Sequence, residues 1–292
     1  MKYYQHLCVL IVSILENNKN ERFTFHVMTD HDDPEADKIK GLAAIYPNFD
    51  IRFVVMEDSY FENFPLPLKH ITVQMYYRFL IPFLLPEQET ALYFDCDMVC
   101  NANLRELWKI PLDGHYVAGV RDNLCSKKSY LQSMQLPLNG SYVNSGMLLM
   151  NLQMIRNDNR IPELLDWVAS HPETRFPDQD AINAVFAGKI RVLGPKWNIQ
   201  TGYPSKLQHG IIHYTSEKKP WLTDVYCLHH AASLYFQYLN LTPYRDYIAL
   251  YHQNRNRKTQ VIGCLKEVIK FPEQLVRKYV VKPLKKALKK AS

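Results

Sequence analysis

The chain has 292 residues, of which 47% are hydrophobic, 12% are aromatic and 22% are charged, and its formal net charge is +6. This composition is typical of a globular protein with a large core and excludes an intrinsically disordered chain. From Arg255 onward twelve Lys or Arg residues stand against two Asp or Glu residues, so this tail carries +10 and the body −4, which argues against a nucleic-acid groove on the body.

Helical and strand patterns alternate along the first two hundred residues. The first apolar run, residues 7–15, is compatible with a signal peptide or a buried helix; we favour the helix because no small-residue cleavage site follows. The other predicted helices cover residues 33–46, 72–84, 162–169 and 178–187. The predicted strands cover residues 23–28, 51–56, 91–94, 115–120, 142–151, 189–193 and 211–214. This alternation predicts an α/β layered fold with a mostly parallel sheet, whose ligands lie beyond the carboxyl ends of the strands.

The strongest local signal is a pair of aspartates, Asp95 and Asp97, at the exit of the apolar strand 91–94. Side chains two positions apart on an extended backbone face the same side. Two carboxylates held together repel each other and need a cation, and their hard oxygen atoms favour Mg²⁺ or Mn²⁺. One alternative is a pair of surface aspartates. Another is a metal-dependent phosphatase of the haloacid dehalogenase type, in which Asp95 would be the nucleophile.

A second signal is His213 at the end of the strand 211–214, followed six residues later by Lys219 in a loop that Pro220 and Trp221 terminate. An imidazole is a borderline ligand that suits Mn²⁺ beside two carboxylates. A lysine suits phosphate oxygens. The alternative for His213 is a structural histidine in the core.

Three weaker signals lie between these two. Residues 142–146 predict a turn that feeds an apolar strand, and Arg78 lies on a predicted helix with an unspecified acidic partner. Residues 178–180, Asp-Gln-Asp, open a helix, where Asp178 also suits an ordinary N-cap.

Taken together and in this order, these segments resemble glycosyltransferase family 8, which includes bacterial lipopolysaccharide galactosyl- and glucosyltransferases and glycogenin. The resemblance runs from about Lys2 to about Trp221. Five motifs carry it: 70–72 with Tyr76 and Arg78, 92–99, 142–152, 178–180 and 213–221.

The resemblance implies a GT-A (Rossmann-like) nucleotide-diphospho-sugar transferase fold over residues 1–230, a retaining mechanism, a UDP-galactose or UDP-glucose donor, and Mn²⁺, with Mg²⁺ as the second choice. It further implies that Asp95, Asp97 and His213 bind the metal, and that Asp178 and Gln179 are catalytic. The donor-binding residues that it implies are Arg78, Asp95, Cys96, Asp97, Asp122, Asn144, Ser145, Asp178, Gln179, His213, Ser216 and Lys219.

The chain departs from the family pattern at two places. Family members begin with a strand that ends in acidic and amide residues before an Asn-Tyr step, whereas this chain starts at about that step, with Lys2-Tyr3-Tyr4. We therefore expect the fold to lack the family's first strand, either because the true start lies upstream or because the chain is a truncated copy, and an inactive truncated family member stays open as an alternative. Ser216 stands where the family tends to place a glycine near the diphosphate.

Helical patterns dominate residues 231–292, which we expect to form a helical C-terminal region. In residues 255–292 apolar side chains recur at helical spacing among lysines, which predicts a basic amphipathic tail on an anionic membrane surface; the alternative is a solvated helix pair docked on the body. The cysteines, which show no CxxC spacing, indicate a reducing compartment. We therefore expect a cytoplasmic protein, peripheral on the inner face of the membrane, with a saccharide or lipid-linked saccharide acceptor and no nucleic-acid partner.

Overall fold

The structure is a computed structural model that describes residues 2–66, 72–123, 127–136, 138, 141–201, 209–215, 219–222 and 230–253. Helices and strands alternate within these ranges in a mixed α/β fold, as the sequence pattern predicts. The α-helices are α1 (Lys2–Asn17), α2 (Glu35–Lys40), α3 (Ile81–Leu84), α4 (Arg105–Trp108), α5 (Lys128–Ser133), α6 (Leu152–Asn157), α7 (Arg160–Ser170), α8 (Pro177–Val185), α9 (His230–Leu239) and α10 (Tyr247–Gln253). The strands are β1 (Phe23–Thr29), β2 (Phe49–Val55), β3 (Thr90–Phe94), β4 (Met98–Cys100), β5 (Val117–Arg121), β6 (Val143–Asn151), β7 (Ile190–Leu193), β8 (Ile199–Gln200) and β9 (Ile211–His213).

The strands form three sheets, in the orders β1-β2, β3-β6-β5-β7 and β4-β9-β8. Strand pairs β1–β2, β5–β7 and β8–β9 are parallel, whereas β3–β6, β5–β6 and β4–β9 are antiparallel. The prediction of a mostly parallel sheet is therefore wrong. A continuous apolar run indicates burial on both faces of a strand but carries no information on its direction, and β6 runs between β3 and β5 in the opposite sense.

The first helix confirms the prediction of a buried helix over residues 7–15 and extends it to Lys2–Asn17. Val9 and Val12 have no exposed surface, and Ser13 at the same depth accepts a hydrogen bond from the Cys100 backbone at 2.9 Å. The helix therefore supports β4, the strand that follows the paired aspartates.

Several predicted elements have different forms in the structure. The predicted helix 72–84 is a 3₁₀ helix over Val73–Leu80 followed by the short α3. The predicted strand 142–151 is confirmed as β6, whereas the turn also predicted at 142–146 is wrong, because Val143 to Gly146 already belong to that strand. Strands β4 and β8 were not predicted, since three and two residues are too few for a periodic pattern.

At the C-terminal side, α9 packs on α1 and shares its core. Tyr235 and Leu239 of α9 lie in one buried cluster with Cys8, Val99 and Ile212. The predicted tail 255–292 lies outside the described residues, so its amphipathic helix stays a prediction. Within the described ranges no helix combines the length and hydropathy that crossing a bilayer requires.

Candidate active site

The paired aspartates lie where the chain passes from one sheet to the next. Strand β3 ends at Phe94 and β4 begins at Met98, so Asp95 and Asp97 occupy the connection between them. Backbone hydrogen bonds hold both ends of this connection, since Asp95 N donates to Gly146 O at 2.8 Å and Asp97 O accepts from Tyr214 N at 3.1 Å. The two carboxylates are therefore placed by sheet backbone on both sides.

His213 reaches the aspartates because β9 pairs antiparallel with β4, with Met98 directly opposite His213. Its Nε2 atom lies 3.2 Å from Asp97 Oδ1 and 3.7 Å from Asp95 Oδ2. One ligand atom from each of the three residues lies within 4.8 Å of the others. The structure thus brings together the three residues that the sequence proposed as metal ligands.

The chemistry of this cluster fits a divalent cation. Asp97 Oδ1 is buried without a hydrogen-bond donor among the described residues. His213 Nδ1 faces the acceptor Asn198 Oδ1 at 3.2 Å, which suits a proton on Nδ1, so Nε2 is the ring nitrogen that a cation beside the carboxylates would bind. Two carboxylates and an imidazole that converge on one point form a ligand set that suits Mn²⁺, and their oxygens suit Mg²⁺.

Gly146 leaves space for the cluster of Asp95, Asp97 and His213, and it was not among the predicted site residues. A Cβ atom at this position would lie 2.7 Å from Asp95 Oδ2 and would also collide with the imidazole ring of His213. Both contacts are closer than real Cβ atoms tolerate, so the fourth position of β6, beside the cluster, has to lack a side chain.

Arg78, which the resemblance assigned to the donor, lies between two carboxylates in this structure. Its guanidinium is 3.0 Å from Asp95 and 3.1 Å from Asp178, and it donates to Ser145 O at 2.7 Å. Burial lowers the pKa of Arg78, but Asp178 and Asp95 outweigh burial and raise it overall. The buried arginine therefore joins the β3–β4 connection, β6 and α8 through charge-assisted contacts.

Lys219 also contacts the cluster. Its Nζ lies 2.6 Å from Asp97 Oδ2 and donates to the Tyr214 carbonyl. Burial opposes the ionisation of Asp97, but His213 and Lys219 outweigh it and lower the pKa of this carboxyl. The neighbouring Trp221 stacks on His6 of α1 with the ring centroids 3.8 Å apart, which fastens the lysine loop to the first helix.

The predicted catalytic residues lie at the start of α8, against the first residues of β6. Gln179 Oε1 accepts from Asn144 Nδ2 at 3.0 Å and from the Ser145 backbone at 3.1 Å. Asn144 Nδ2 also donates to Asp122 at 3.0 Å, and Ser145 Oγ donates to Asp178 at 2.8 Å. Five residues that the resemblance assigned to the donor thus form one buried polar cluster.

Behind this cluster lies Asp180, a buried carboxylate that was not among the predicted site residues. It accepts hydrogen bonds from the hydroxyl groups of Thr174, Tyr130 and Tyr142, and Tyr142 in turn accepts from Gln179 Nε2 at 3.0 Å. Burial raises the pKa of Asp180, whereas its three hydroxyl donors lower it. The motif 178–180 includes Asp180 and could have indicated it as a site residue. Its hydrogen-bond partners lie in separate segments of the chain, so the sequence did not indicate them.

Two predicted donor-binding residues stay without a structural role. Cys96 is half-buried between the aspartates, and burial, followed by the charges of Asp97 and Asp95, raises the pKa of its thiol. Ser216 lies outside the described residues, as do His70 and Ile71 of the first motif.

Comparison with known proteins agrees with this arrangement. The profile described as glycosyl transferase family 8 matches residues 1–224. General stress protein A of Bacillus subtilis is 27% identical over 263 residues, which cover 82% of this chain and 90% of that protein. A lipopolysaccharide 1,2-glucosyltransferase of Escherichia coli is 29% identical over 260 residues, which cover 82% of this chain and 75% of that protein.

Among solved structures, the galactosyltransferase LgtC in complex with donor and acceptor sugar analogs superposes with a TM-score of 0.75 at 22% identity, covering 83% of this chain and 93% of that chain. The α/β layers and the Asp-x-Asp connection therefore define a GT-A glycosyltransferase fold. The chain belongs to glycosyl transferase family 8, which confirms the predicted resemblance and fold class. Family membership does not favour the phosphatase alternative.

Proposed function

We propose that this chain is a retaining hexosyltransferase that moves galactose or glucose from a UDP-sugar to a saccharide acceptor in the synthesis of lipopolysaccharide or another cell-surface polysaccharide. The observation that carries the proposal is the convergence of Asp95, Asp97 and His213 on one point. These residues would hold Mn²⁺, or Mg²⁺ as the second choice, and a bound cation supplies a Lewis acid that neutralises charge on a diphosphate. The lipopolysaccharide glucosyltransferase among the relatives supports the choice of acceptor.

The charged residues around the cluster have roles that follow from their positions. Lys219 contacts Asp97 in this structure and would exchange that contact for a phosphate oxygen of the donor. Arg78 holds the carboxylates of Asp95 and Asp178 in place through its ion pairs with both. We assign the sugar hydroxyl groups to Asp122, Asn144 and Asp178, as the resemblance implies.

The reaction that we propose keeps the anomeric configuration by attack on the same face. The bond between the sugar C1 and the diphosphate oxygen breaks, and its electron pair stays on UDP. The acceptor hydroxyl oxygen bonds to C1, and its proton passes to the released phosphate. Gln179 is a poor nucleophile because its amide oxygen already accepts two hydrogen bonds, so we assign it to electrostatic stabilisation of the oxocarbenium-like sugar.

The proposal is tested by measuring UDP released from UDP-glucose and UDP-galactose by the full-length protein, with Mn²⁺ or with EDTA. We expect metal-dependent release that falls by about 100-fold or more in Asp97→Asn, because that substitution removes a charged ligand. The matched control is Asp113→Asn, whose side chain is 67% exposed and pairs with Arg191 at 2.9 Å; it should retain full activity.

Two results would contradict the proposal. Hydrolysis of a simple phosphate ester that requires Asp95, without UDP release, would support a phosphatase. Calorimetry that detects no metal-dependent heat with UDP and Mn²⁺ would support an inactive family member.

We also propose that the chain works at the cytoplasmic face of the membrane, held there by residues 255–292. The net charge of +10 in this tail supports attraction to anionic lipids. A lipid-linked saccharide acceptor would then lie in reach of the site.

A further inference from the structure

Asn198 lies on the side of His213 that faces away from the carboxylates. It follows the short 3₁₀ helix Pro195–Trp197 and precedes β8, whose Gln200 pairs with His213 in the parallel β8–β9 ladder. The side chain is 2% exposed. Its Oδ1 atom lies 3.2 Å from His213 Nδ1, and its Nδ2 atom donates to Asn144 Oδ1 at 2.9 Å.

The orientation of the Asn198 amide is decided by groups that cannot reverse their roles. Asn144 Oδ1 accepts from the Gly146 backbone N–H at 3.1 Å, and Asn144 Nδ2 donates to the Asp122 carboxylate at 3.0 Å. A backbone N–H donates only and a carboxylate oxygen accepts only, so the Asn144 amide has one orientation. Its Oδ1 then requires a donor from Asn198, which leaves the Asn198 oxygen facing His213.

The orientation of the Asn198 amide determines which nitrogen of His213 carries the proton. An amide oxygen 3.2 Å from His213 Nδ1 calls for a proton on Nδ1, and the lone pair of the neutral ring then lies on Nε2, toward Asp95 and Asp97. With the other tautomer, the Nε2–H would point into the position of the cation. We propose that Asn198 is a positioning residue that holds His213 in the metal-binding tautomer, an inference that rests on the proposed function.

The same side chain connects the metal ligand to the predicted catalytic amide. Hydrogen bonds run without interruption from His213 to Asn198, then to Asn144, and from Asn144 Nδ2 to Gln179 Oε1 at 3.0 Å. Asn198 therefore has two separable functions. Its Oδ1 accepts from the imidazole, and its Nδ2 donates to Asn144, which in turn donates to Gln179. A substitution that keeps the acceptor and removes the donor distinguishes them.

The test compares three variants of the full-length protein with the wild type. Asn198→Ala removes both functions, whereas Asn198→Asp keeps an oxygen that accepts from Nδ1. The matched control is Asn18→Ala, which removes another asparagine that is 2% exposed and hydrogen-bonded to the Ile14, Ala102 and Leu104 backbone. Thermal melting shows how much stability each variant loses.

The first readout is Mn²⁺ affinity, measured from the electron paramagnetic resonance signal of the free ion. We expect Asn198→Ala to bind about 10- to 100-fold more weakly, the usual cost of removing the hydrogen-bond partner of a ligating histidine. Asn198→Asp and Asn18→Ala should remain within about threefold of the wild type, because both keep an acceptor at Nδ1.

The second readout is the ¹⁴N modulation of the electron spin echo from Mn²⁺ at saturating ion concentration. The wild type, Asn198→Asp and Asn18→Ala should show a coordinated imidazole nitrogen, and Asn198→Ala should lose it. A general loss of stability would not remove this signal selectively.

The inference is overturned if Asn198→Ala keeps wild-type affinity and its nitrogen signal, or if Asn198→Asp, folded as judged by melting, loses both. The second condition decides the matter if Asn198→Ala does not fold. A wild-type protein that binds no Mn²⁺, or binds it without a nitrogen signal, would instead contradict the metal site of the proposed function itself.

Discussion

At the scale of single residues, the candidate site depends on the missing side chain at Gly146 as much as on its three ligands. Asp95 and His213 approach each other across Gly146, the one described residue of β6 whose added Cβ would enter the cluster. The three ligands come from two chain segments more than a hundred residues apart. Gly146 of β6 lies beside both Asp95 and His213. The site is therefore sensitive to volume as well as to charge.

Gly146→Ala should weaken Mn²⁺ binding by more than about tenfold, because the new methyl group would lie 2.7 Å from Asp95 Oδ2 and displace a ligand. Titration of the free-ion signal measures this. The matched control is Gly119→Ala on β5, where the added Cβ meets Leu148 at 3.1 Å and Val143 at 3.2 Å but no site residue. That control should lose stability through overpacking and keep its Mn²⁺ affinity. Equal affinity in Gly146→Ala would show that the cation does not occupy this position.

At the scale of secondary-structure elements, the lysine loop is held by the contact between α1 and α9. His6 on α1 stacks on Trp221, and its Nδ1 lies 2.7 Å from the Tyr235 hydroxyl of α9. That hydroxyl also accepts a hydrogen bond from Gln5 Nε2 at 2.8 Å, and its own proton is available to Nδ1 of His6. A neutral His6 ring that accepts at Nδ1 therefore satisfies this junction.

Burial lowers the pKa of His6 from 6.5 to about 4. The unfolded chain therefore binds a proton between these two values while the folded protein does not, and stability falls as the pH drops through this window. We expect the wild type to lose on the order of 2 kcal/mol of unfolding free energy from this residue between pH 7 and pH 5. Urea unfolding at both pH values measures the loss.

His6→Gln should lose less stability over the same pH interval, because glutamine fills similar space and does not titrate. A pH dependence in His6→Gln as steep as in the wild type would contradict a buried neutral His6.

At the scale of the whole molecule, charge divides the chain into two unequal parts. The tail 255–292 carries +10 and the residues before it sum to −4. A body of negative charge gains nothing from an anionic surface, so any attraction to such a surface would come from the tail.

Deleting residues 255–292 should release the protein from vesicles that contain anionic lipid, as measured by sedimentation with the vesicles. Because the attraction is electrostatic, binding of the intact chain should also weaken as ionic strength rises from about 0.05 M to about 0.5 M. Vesicles of neutral lipid serve as the control. Equal sedimentation of the intact and shortened chains would rule out a membrane-binding tail.

Much of the site could be predicted from the sequence because its ligands follow strands. An apolar run that ends in Asp95 and Asp97, and another that ends in His213, place polar groups at strand ends whatever the sheet order is. The family resemblance then supplied their joint role and the GT-A fold. Helix α1 was predictable in part, since a continuous apolar run that no small-residue cleavage site follows favours a buried helix.

Other features were decided by tertiary structure, because they depend on pairings between distant segments. The direction of β6 between β3 and β5 determines that Gly146 faces the aspartates, and no local pattern encodes that direction. Asn198 and Asp180 look like ordinary polar residues until packing removes water and supplies their partners. The sequence by itself determined the kinds of groups present and the strand ends that carry them. The folded chain decided which groups meet, because hydrogen bonds among buried side chains form only once the sheet order has brought their strands together.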